Sequence, residues 1–292
     1  MAVRKASGPI GVFDSGVGGL AVLFELERLL PREAFVYFAD TLNCPWGSRP
    51  DQEIVDLAFR ATDALLEQGV KLIVVACNSA TTVALPALRA RYPIPFVGTE
   101  PAVKPAAIQT QTGRIGVLAT RATIRSGALR RLADQHAEHV DVKLFACPDR
   151  LVELVERAEI DGPEVLQVLS PIIDAALKCS VDVLVLGCTH YAFLRGAIQK
   201  LAGPDVLVLD TGAPVARQAQ RVLDIHGIAA TMDGIQGVHF LASSNQAGLC
   251  RVAQSLRRSV SNGEPDAEPF GESARERAVL IGEQETTERY QK

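Results

Sequence analysis

Two cysteines lie at the ends of matching stretches of this sequence. VKLIVVACN (70–78) contains Cys77 and VDVLVLGCT (181–189) contains Cys188, and each stretch has the apolar run of a buried strand. The offset between the two stretches is a constant 111 residues. The pattern indicates an internal duplication, and two thiols related by pseudo-symmetry suit chemistry that is itself nearly mirror-symmetric. Inversion of a carbon stereocentre is the reaction that this arrangement favours.

Polar residues follow both cysteines. NSATT comes after Cys77 and THY comes after Cys188. A single cysteine at the end of an apolar strand is more often a buried hydrophobic residue than a reactive thiolate. Here the following residues are typical of helix starts, and a helix N-terminus would lower the pKa of each thiol. His190, and Asp14 at the end of the first predicted strand, are candidates to exchange protons with a thiol.

Three weaker signals accompany this pair. The glycines of SGVGG (15–19) let a helix begin close to an anion such as a carboxylate, although a tight turn without a ligand fits equally well. The spacing of Cys188 and His190 is compatible with a metal site. The neighbours of Cys77, however, supply no close Cys/His pair of the kind that structural zinc uses. The remaining cysteines have no comparable polar cluster and are interpreted as structural: Cys44, Cys147, Cys179 and Cys250.

Composition limits the class of protein. The chain has 292 residues, of which 48% are hydrophobic, and a chain of this length buries about 75% of its unfolded surface. A net charge of -4 with dispersed Lys and Arg argues against a nucleic-acid partner, and the strand-length apolar runs argue against a membrane span. Six cysteines without a regular framework, and an N-terminus without a secretory signal, predict free thiols in the cytoplasm.

Short apolar runs alternate with helical patterns along the chain. Leu23, Leu26 and Leu30 predict a helix over 20–30 that is closed by Pro31. We predict strands at 10–13, 35–38, 72–75, 96–97, 115–118, 142–145, 183–186 and 206–209. Continuous apolar runs are typical of parallel strands covered on both faces, so the pattern predicts an α/β fold with right-handed crossovers. In such folds ligands bind outside the carboxyl ends of the strands.

The duplication and the distribution of prolines predict the domain organisation. We expect two related, doubly wound α/β domains, each with a mainly parallel sheet. The predicted boundaries are 1–97 plus 209–262 for the first, discontinuous domain, 98–208 for the second, and 263–292 for a C-terminal tail. The tail is predicted to be flexible because Glu, Gly, Ser, Pro and Arg dominate it and few apolar residues could offset its ordering entropy.

Six segments of the chain closely resemble the glutamate racemases. They are GVFDSGVGGL (11–20), YFADTLNCPWG (37–47), VVACNSATT (74–82), VGTEPAVKPA (97–106), ELVE (153–156) and LVLGCTHY (184–191), and they occur in the expected order. The resemblance implies an enzyme that interconverts L- and D-glutamate for bacterial peptidoglycan, with no cofactor and no metal, and with the active site in the cleft between the two domains. A homodimer is the expected assembly.

The resemblance also implies the site residues. Cys77 and Cys188 are the catalytic acid and base, with Asp14 assisting Cys77, His190 assisting Cys188, and Glu156 near the second cysteine. Cys77 would act on D-glutamate and Cys188 on L-glutamate. The substrate-binding positions are Asp14, Ser15, Trp46, Gly47, Asn78, Ser79, Thr120, Thr123, Thr189 and His190.

Two positions depart from the family pattern, and other functions stay open. Trp46 stands where the family usually has tyrosine, and Ser79 replaces the commoner threonine. An aspartate racemase would share the paired cysteines and differ in the length of its substrate. A thiol-dependent hydrolase or lyase would use one cysteine as a nucleophile. A binding protein for small anions would make both cysteines incidental.

Overall fold

The computed structural model describes residues 8–137, 139–231 and 237–261. The predicted tail, 263–292, lies outside these residues. The strands are Ile10–Asp14 (β1), Ala34–Ala39 (β2), Leu72–Val75 (β3), Phe96–Gly98 (β4), Arg114–Ala119 (β5), Asp141–Ala146 (β6), Val183–Gly187 (β7), Leu207–Leu209 (β8) and Gly237–Ala242 (β9). Each of the eight predicted strands is found, to within one residue at either end.

Helices follow most of the strands. They are Leu20–Leu29 (α1), Asp51–Glu67 (α2), Asn78–Arg91 (α3), Val103–Gln109 (α4), Arg121–Arg125 (α5), Ala128–His136 (α6), Arg150–Glu156 (α7), Pro163–Lys178 (α8), Arg195–Ala202 (α9), Gly212–His226 (α10) and Gln246–Ser261 (α11), with a 3₁₀ helix at Thr189–Leu194. The predicted first helix is confirmed, and Leu30 caps its C-terminus just before Pro31.

The strands form two parallel sheets with the same internal order. Within the described residues, one sheet has five strands in the order β4-β3-β1-β2-β9, and the other has four in the order β6-β5-β7-β8. Read in the opposite sense, the second sheet is β8-β7-β5-β6, so β1 corresponds to β5 and β3 corresponds to β7. The predicted α/β class with two related parallel sheets is confirmed. The numerical domain boundaries stay a prediction.

Both faces of the first sheet are covered by helices. Ile10 and Val12 pack with Leu23 of α1 on one face, whereas Phe13 packs with Ile54 of α2 on the other. This two-sided burial explains why the strand reads as a continuous apolar run. The cluster around Val12 continues to Leu184 of β7, so one apolar core joins the two sheets.

Strand β9 was not predicted from the sequence. It pairs with β2 at the edge of the first sheet, and its residues are only partly buried. The segment includes His239 and therefore lacks the continuous apolar pattern that marks a strand covered on both faces.

In the described part of the chain, no helix is both long and apolar enough to cross a membrane.

Candidate active site

A pocket lies where the carboxyl ends of the two sheets meet. Asp14 ends β1 and Cys77 follows β3 in the first sheet, while Thr120 follows β5 and Cys188 follows β7 in the second. The pocket is lined by Asp14, Ser15, Pro45, Trp46, Gly47, Cys77, Asn78, Ser79, Thr120, Val152, Cys188, Thr189 and His190. The structure therefore brings together the predicted site residues, apart from Thr123 and Glu156, which lie just behind this lining.

Cys77 is buried at the N-terminus of α3. Its Sγ accepts a hydrogen bond from the Ala80 amide at 3.5 Å, as expected for a helix cap. The predicted lowering of its pKa is nevertheless wrong. Burial raises the pKa of the Cys77 thiol well above its ordinary value, the charge of Asp14 raises it further, and the Ala80 amide offsets only part of the rise. This thiol therefore keeps its proton at neutral pH.

Cys188 occupies the corresponding position after β7, but its surroundings differ. A 3₁₀ helix follows it instead of an α-helix, and within the described chain the Cys188 side chain makes no capping hydrogen bond. The imidazole of His190 takes that place, with Nδ1 at 3.8 Å from the Cys188 Sγ. The other ring nitrogen, Nε2, lies 2.7 Å from Oε1 of Glu156.

His190 and Glu156 favour the charged form of each other. Burial lowers the pKa of His190, but hydrogen bonds with Cys188, Cys44 and Glu156 outweigh burial, so the pKa lies well above its ordinary value. Burial raises the pKa of Glu156, and hydrogen bonds from His190 and the Val17 amide reverse that effect to a net lowering. The pair is thus an imidazolium and a carboxylate at neutral pH, and its Nδ1 side faces the Cys188 thiol.

The glycine loop after β1 serves the protein's own carboxylates. The amides of Gly16 and Gly19 donate to Oδ2 of Asp14 at 3.4 and 2.9 Å, and the amide of Val17 donates to Glu156 at 2.7 Å. Of the two interpretations of SGVGG that the sequence left open, these contacts favour the turn without a bound ligand.

Glycine is required in this loop because other side chains fill the space. A Cβ at Gly18 would lie 2.2 Å from Nδ1 of His190, and a Cβ at Gly16 would lie 1.9 Å from Oε1 of Glu156. Real Cβ atoms do not approach other atoms so closely, so the two glycines let the His190–Glu156 pair pack against the loop.

Two buried acceptors in the pocket have no partner among the described residues. Oδ1 of Asp14 and Oδ1 of Asn78 are both buried without a hydrogen bond. Burial also raises the pKa of Asp14, although His190 and the Gly19 amide oppose the rise. A buried acceptor without a donor costs free energy, so both oxygens are candidates to accept hydrogen bonds from a bound ligand.

Hydroxyl groups form a chain along the second side of the pocket. Ser79 Oγ lies 3.0 Å from Oγ1 of Thr120, which donates to Oγ1 of Thr123 at 3.1 Å. Thr123 is fully buried behind Thr120 and does not line the pocket. In the structure it contacts Thr120 behind the lining, and its assignment as a substrate contact stays a prediction. The replacement of threonine by Ser79 keeps the hydroxyl contact between the two sheets.

The fold and the site agree with a known family. The family model for Asp/Glu/hydantoin racemases matches residues 29–219. The chain belongs to this family. The racemase is 48% identical to the glutamate racemase of Herpetosiphon aurantiacus over 248 residues, which cover 85% of this chain and 97% of that protein. It is 43% identical to the glutamate racemase of Deinococcus radiodurans over 256 residues, or 87% and 88% of the two chains.

Solved structures of glutamate racemases resemble this racemase along most of its length. The enzyme from Thermus thermophilus, in complex with β-chloro-D-alanine, superposes with a TM-score of 0.73 at 39% identity and covers 87% of this chain and 94% of its own. The Escherichia coli enzyme, in complex with L-glutamate and the activator UDP-MurNAc-Ala, has a TM-score of 0.76 at 32% identity, covering 86% and 95%. The prediction of an amino-acid racemase is confirmed.

Two residues close to the racemase pocket were not predicted as site residues. Cys44 was interpreted as structural because no polar cluster surrounds it in sequence, but in the fold it lies beside His190 and Glu156. Asp40 accepts a hydrogen bond from the indole Nε1 of Trp46 at 3.1 Å. The polar pair Asp40 and Thr41, directly after β2, was the sequence signal that could have placed Asp40 near the site. Nothing in the sequence around Cys44 could indicate its contact with residues more than a hundred positions away.

Proposed function

We propose that this racemase interconverts L- and D-glutamate with two cysteines and no cofactor. The observation that carries the proposal is the presence of Cys77 and Cys188 in one pocket, each at the end of a corresponding strand of the two related sheets. Racemisation requires proton removal on one face of the α-carbon and proton delivery on the other. Two thiols of related position provide one group for each face.

Proton transfer follows from the protonation of the two thiols. The α-proton of an amino acid is far less acidic than a thiol, so the attacking cysteine must be a thiolate and the opposite cysteine must carry a proton. For L-glutamate, Cys188 removes the proton and Cys77 delivers one. For D-glutamate, the roles are exchanged. The raised pKa of Cys77 suits it to hold the proton that the L substrate receives.

The partners of the thiols differ in kind. His190, held by Glu156, contacts Cys188 through Nδ1 and can stabilise a thiolate there by its charge. Asp14 is buried near Cys77, and its charge opposes thiolate formation there. Glu156 does not line the pocket, so we assign it the role of positioning His190, whereas His190 touches the thiol itself.

The substrate groups match the polar lining of the pocket. The unpartnered oxygens of Asp14 and Asn78 are acceptors for the α-ammonium group, which carries three donors. The hydroxyl of Thr189 is a donor for a carboxylate oxygen, where negative charge develops as the α-proton leaves. The hydroxyls of Ser79 and Thr120 become donors for the same group when they rotate out of their hydrogen-bonded chain. Among the lining residues there is no lysine that could form a pyridoxal Schiff base.

The proposed biological role is the supply of D-glutamate for peptidoglycan. It includes the expectations, drawn from the family resemblance, that the enzyme acts in the cytoplasm and assembles as a homodimer. All six cysteines are unpaired, which agrees with a reducing compartment. Light scattering of the purified protein tests the homodimer.

One experiment tests the reaction directly. Purified protein, without added cofactor, is incubated with L-glutamate in deuterated water, and chirality and α-deuterium are measured. We expect D-glutamate with deuterium at the α-carbon, and little conversion of L-aspartate under the same conditions. Conversion of aspartate at an equal rate would contradict glutamate as the specific substrate. Absence of both racemisation and α-deuterium would reject the proposal.

A further inference from the structure

Three metal-binding side chains converge beside the pocket. Ligand atoms of Cys44, Glu156 and His190 all lie within 4.8 Å of one another. Thiolate sulfur, imidazole nitrogen and carboxylate oxygen are the three donor types that zinc uses in proteins. We propose that these residues form an inhibitory site for Zn²⁺, in which the cation draws His190 away from Cys188.

The distances between the ligand atoms suit a single ion. With zinc–ligand bonds of roughly 2.0–2.3 Å, the donor atoms of a tetrahedral site lie roughly 3.5 Å apart. In the structure, Nε2 of His190 and Oε1 of Glu156 are 2.7 Å apart, and the Cys44 sulfur completes the cluster inside the 4.8 Å limit. Small rotations of the His190, Glu156 and Cys44 side chains bring the three donors to this spacing, and a water molecule would supply a fourth ligand.

The cluster is partly exposed and lies near the buried carboxylate of Asp14. The Glu156 side chain is 20% exposed and Cys44 is half-buried, so two of the three ligands have contact with solvent. A Cβ at Gly16 would lie 2.9 Å from the Cys44 sulfur, so the glycine also makes room for this ligand. The charge of Asp14 acts on both Cys44 and Glu156, and it favours a cation at this position.

The effect on catalysis follows from the position of His190. Cys44 and Glu156 do not line the pocket, whereas His190 does, so the ion and the substrate lie on different sides of one imidazole. Zinc bound to Nε2 would break the hydrogen bond to Glu156 and fix the ring in a different position. We expect Zn²⁺ to lower the turnover number more than it raises KM. This kinetic effect rests on the proposed racemase function, whereas binding does not.

Direct binding is tested with Co²⁺ as a spectroscopic substitute for zinc. The full-length protein is freed of metal with a chelator and titrated with Co²⁺, and the near-ultraviolet absorption of a thiolate–cobalt bond is recorded. We expect one equivalent of Co²⁺ to produce the band and Zn²⁺ to remove it. Cys44→Ser, which keeps the size of the side chain but replaces the thiolate ligand, should lose the band, while Cys250→Ser on α11 should keep it.

Inhibition is measured with the same variants. The activity of each variant is expressed relative to the activity of the same variant without metal. The Zn²⁺ concentration for half-inhibition should then be at least about tenfold higher in Cys44→Ser than in the wild type, and it should be unchanged in Cys250→Ser. Cys44→Ala gives a second test of the ligand, and melting curves identify any variant that fails to fold. A cobalt band and zinc inhibition that persist in both Cys44 variants would place the metal on Cys77 and Cys188, and would overturn the proposed site. Loss of racemisation in metal-free wild-type protein would instead reject the enzyme function while leaving the cobalt result intact.

Discussion

Cys77 and Cys188 occupy corresponding strand ends, yet the protein supports them by different chemistry. Cys77 lies at the start of an α-helix, with the Ala80 amide and the Asp14 carboxylate as neighbours. Cys188 precedes a 3₁₀ helix and has an imidazole at 3.8 Å, itself held by Glu156. The duplicated fold therefore provides the symmetry that inversion of a stereocentre requires. The groups that pack around each thiol differ between the two halves.

The largest expected effect comes from removing either thiol. Cys77→Ser and Cys188→Ser should each reduce racemisation by about 10³-fold or more, because serine is too weak an acid to act as the base at neutral pH. A glutamate analogue with a β-leaving group separates the two faces, since elimination needs only one base. Cys77→Ser should still eliminate from the L isomer and Cys188→Ser only from the D isomer, as measured by release of the leaving group. Equal loss of both isomers in both variants would contradict face-specific bases.

Removal of the imidazole should affect only the Cys188 side. His190→Asn should lower elimination from the L isomer by about 10²-fold, because the Cys188 thiolate loses its charged neighbour, and should change elimination from the D isomer much less. Glu156→Gln is the matched control: it keeps the shape of the side chain and should give a loss between wild type and His190→Asn. If both isomers slow equally, His190 has a role in substrate binding common to both directions.

The pH dependence of elimination should also distinguish the two thiols, with a smaller effect than the loss of a thiol or of the imidazole. Burial raises the pKa of Cys77, so its thiolate fraction is small at neutral pH and grows as pH rises. Elimination from the D isomer by Cys188→Ser should therefore increase by roughly tenfold per pH unit from neutral to mildly alkaline pH. The comparison must use elimination, because enantiomers are equal in free energy and racemisation has the same kcat/KM in both directions. A rate that is flat between pH 7 and about 9 would show that Cys77 is already a thiolate.

The smallest expected effect concerns Trp46, which belongs to neither thiol. Its indole is buried against Phe13 and donates to Asp40, so it holds the loop that lines the pocket at Pro45 to Gly47. Trp46→Tyr should change turnover and KM by only a few fold, under about 1.4 kcal/mol, for both enantiomers. Trp46→Ala should mainly destabilise the fold, by about 3–5 kcal/mol, as read from chemical denaturation. A hundredfold loss in Trp46→Tyr would show that the substrate contacts the indole itself.

Much of the architecture could be predicted because buried parallel strands have a strong pattern. Most of the runs that became β1 to β8 are continuous and apolar, since helices cover both faces of most of these strands. Strand β6 is the exception, because it is a partly exposed edge strand that contains Lys143. Strand β9 escaped prediction because it is a partly buried edge strand that contains His239. The motifs around Cys77 and Cys188 likewise indicated the pocket, since residues after parallel strands meet at one edge of a sheet.

The order of residue types along the chain was enough to determine the duplicated strand ends, the paired cysteines and the polar residues beside them. Only the tertiary structure decided which groups face each thiol. Glu156 reaches His190 across 34 positions, and Cys44 joins them from another loop. The fold also decided the pKa of Cys77, for which the local helix start predicted a lowering and burial produced a rise. Desolvation depends on everything packed around a group, and the sequence near that group does not contain this information.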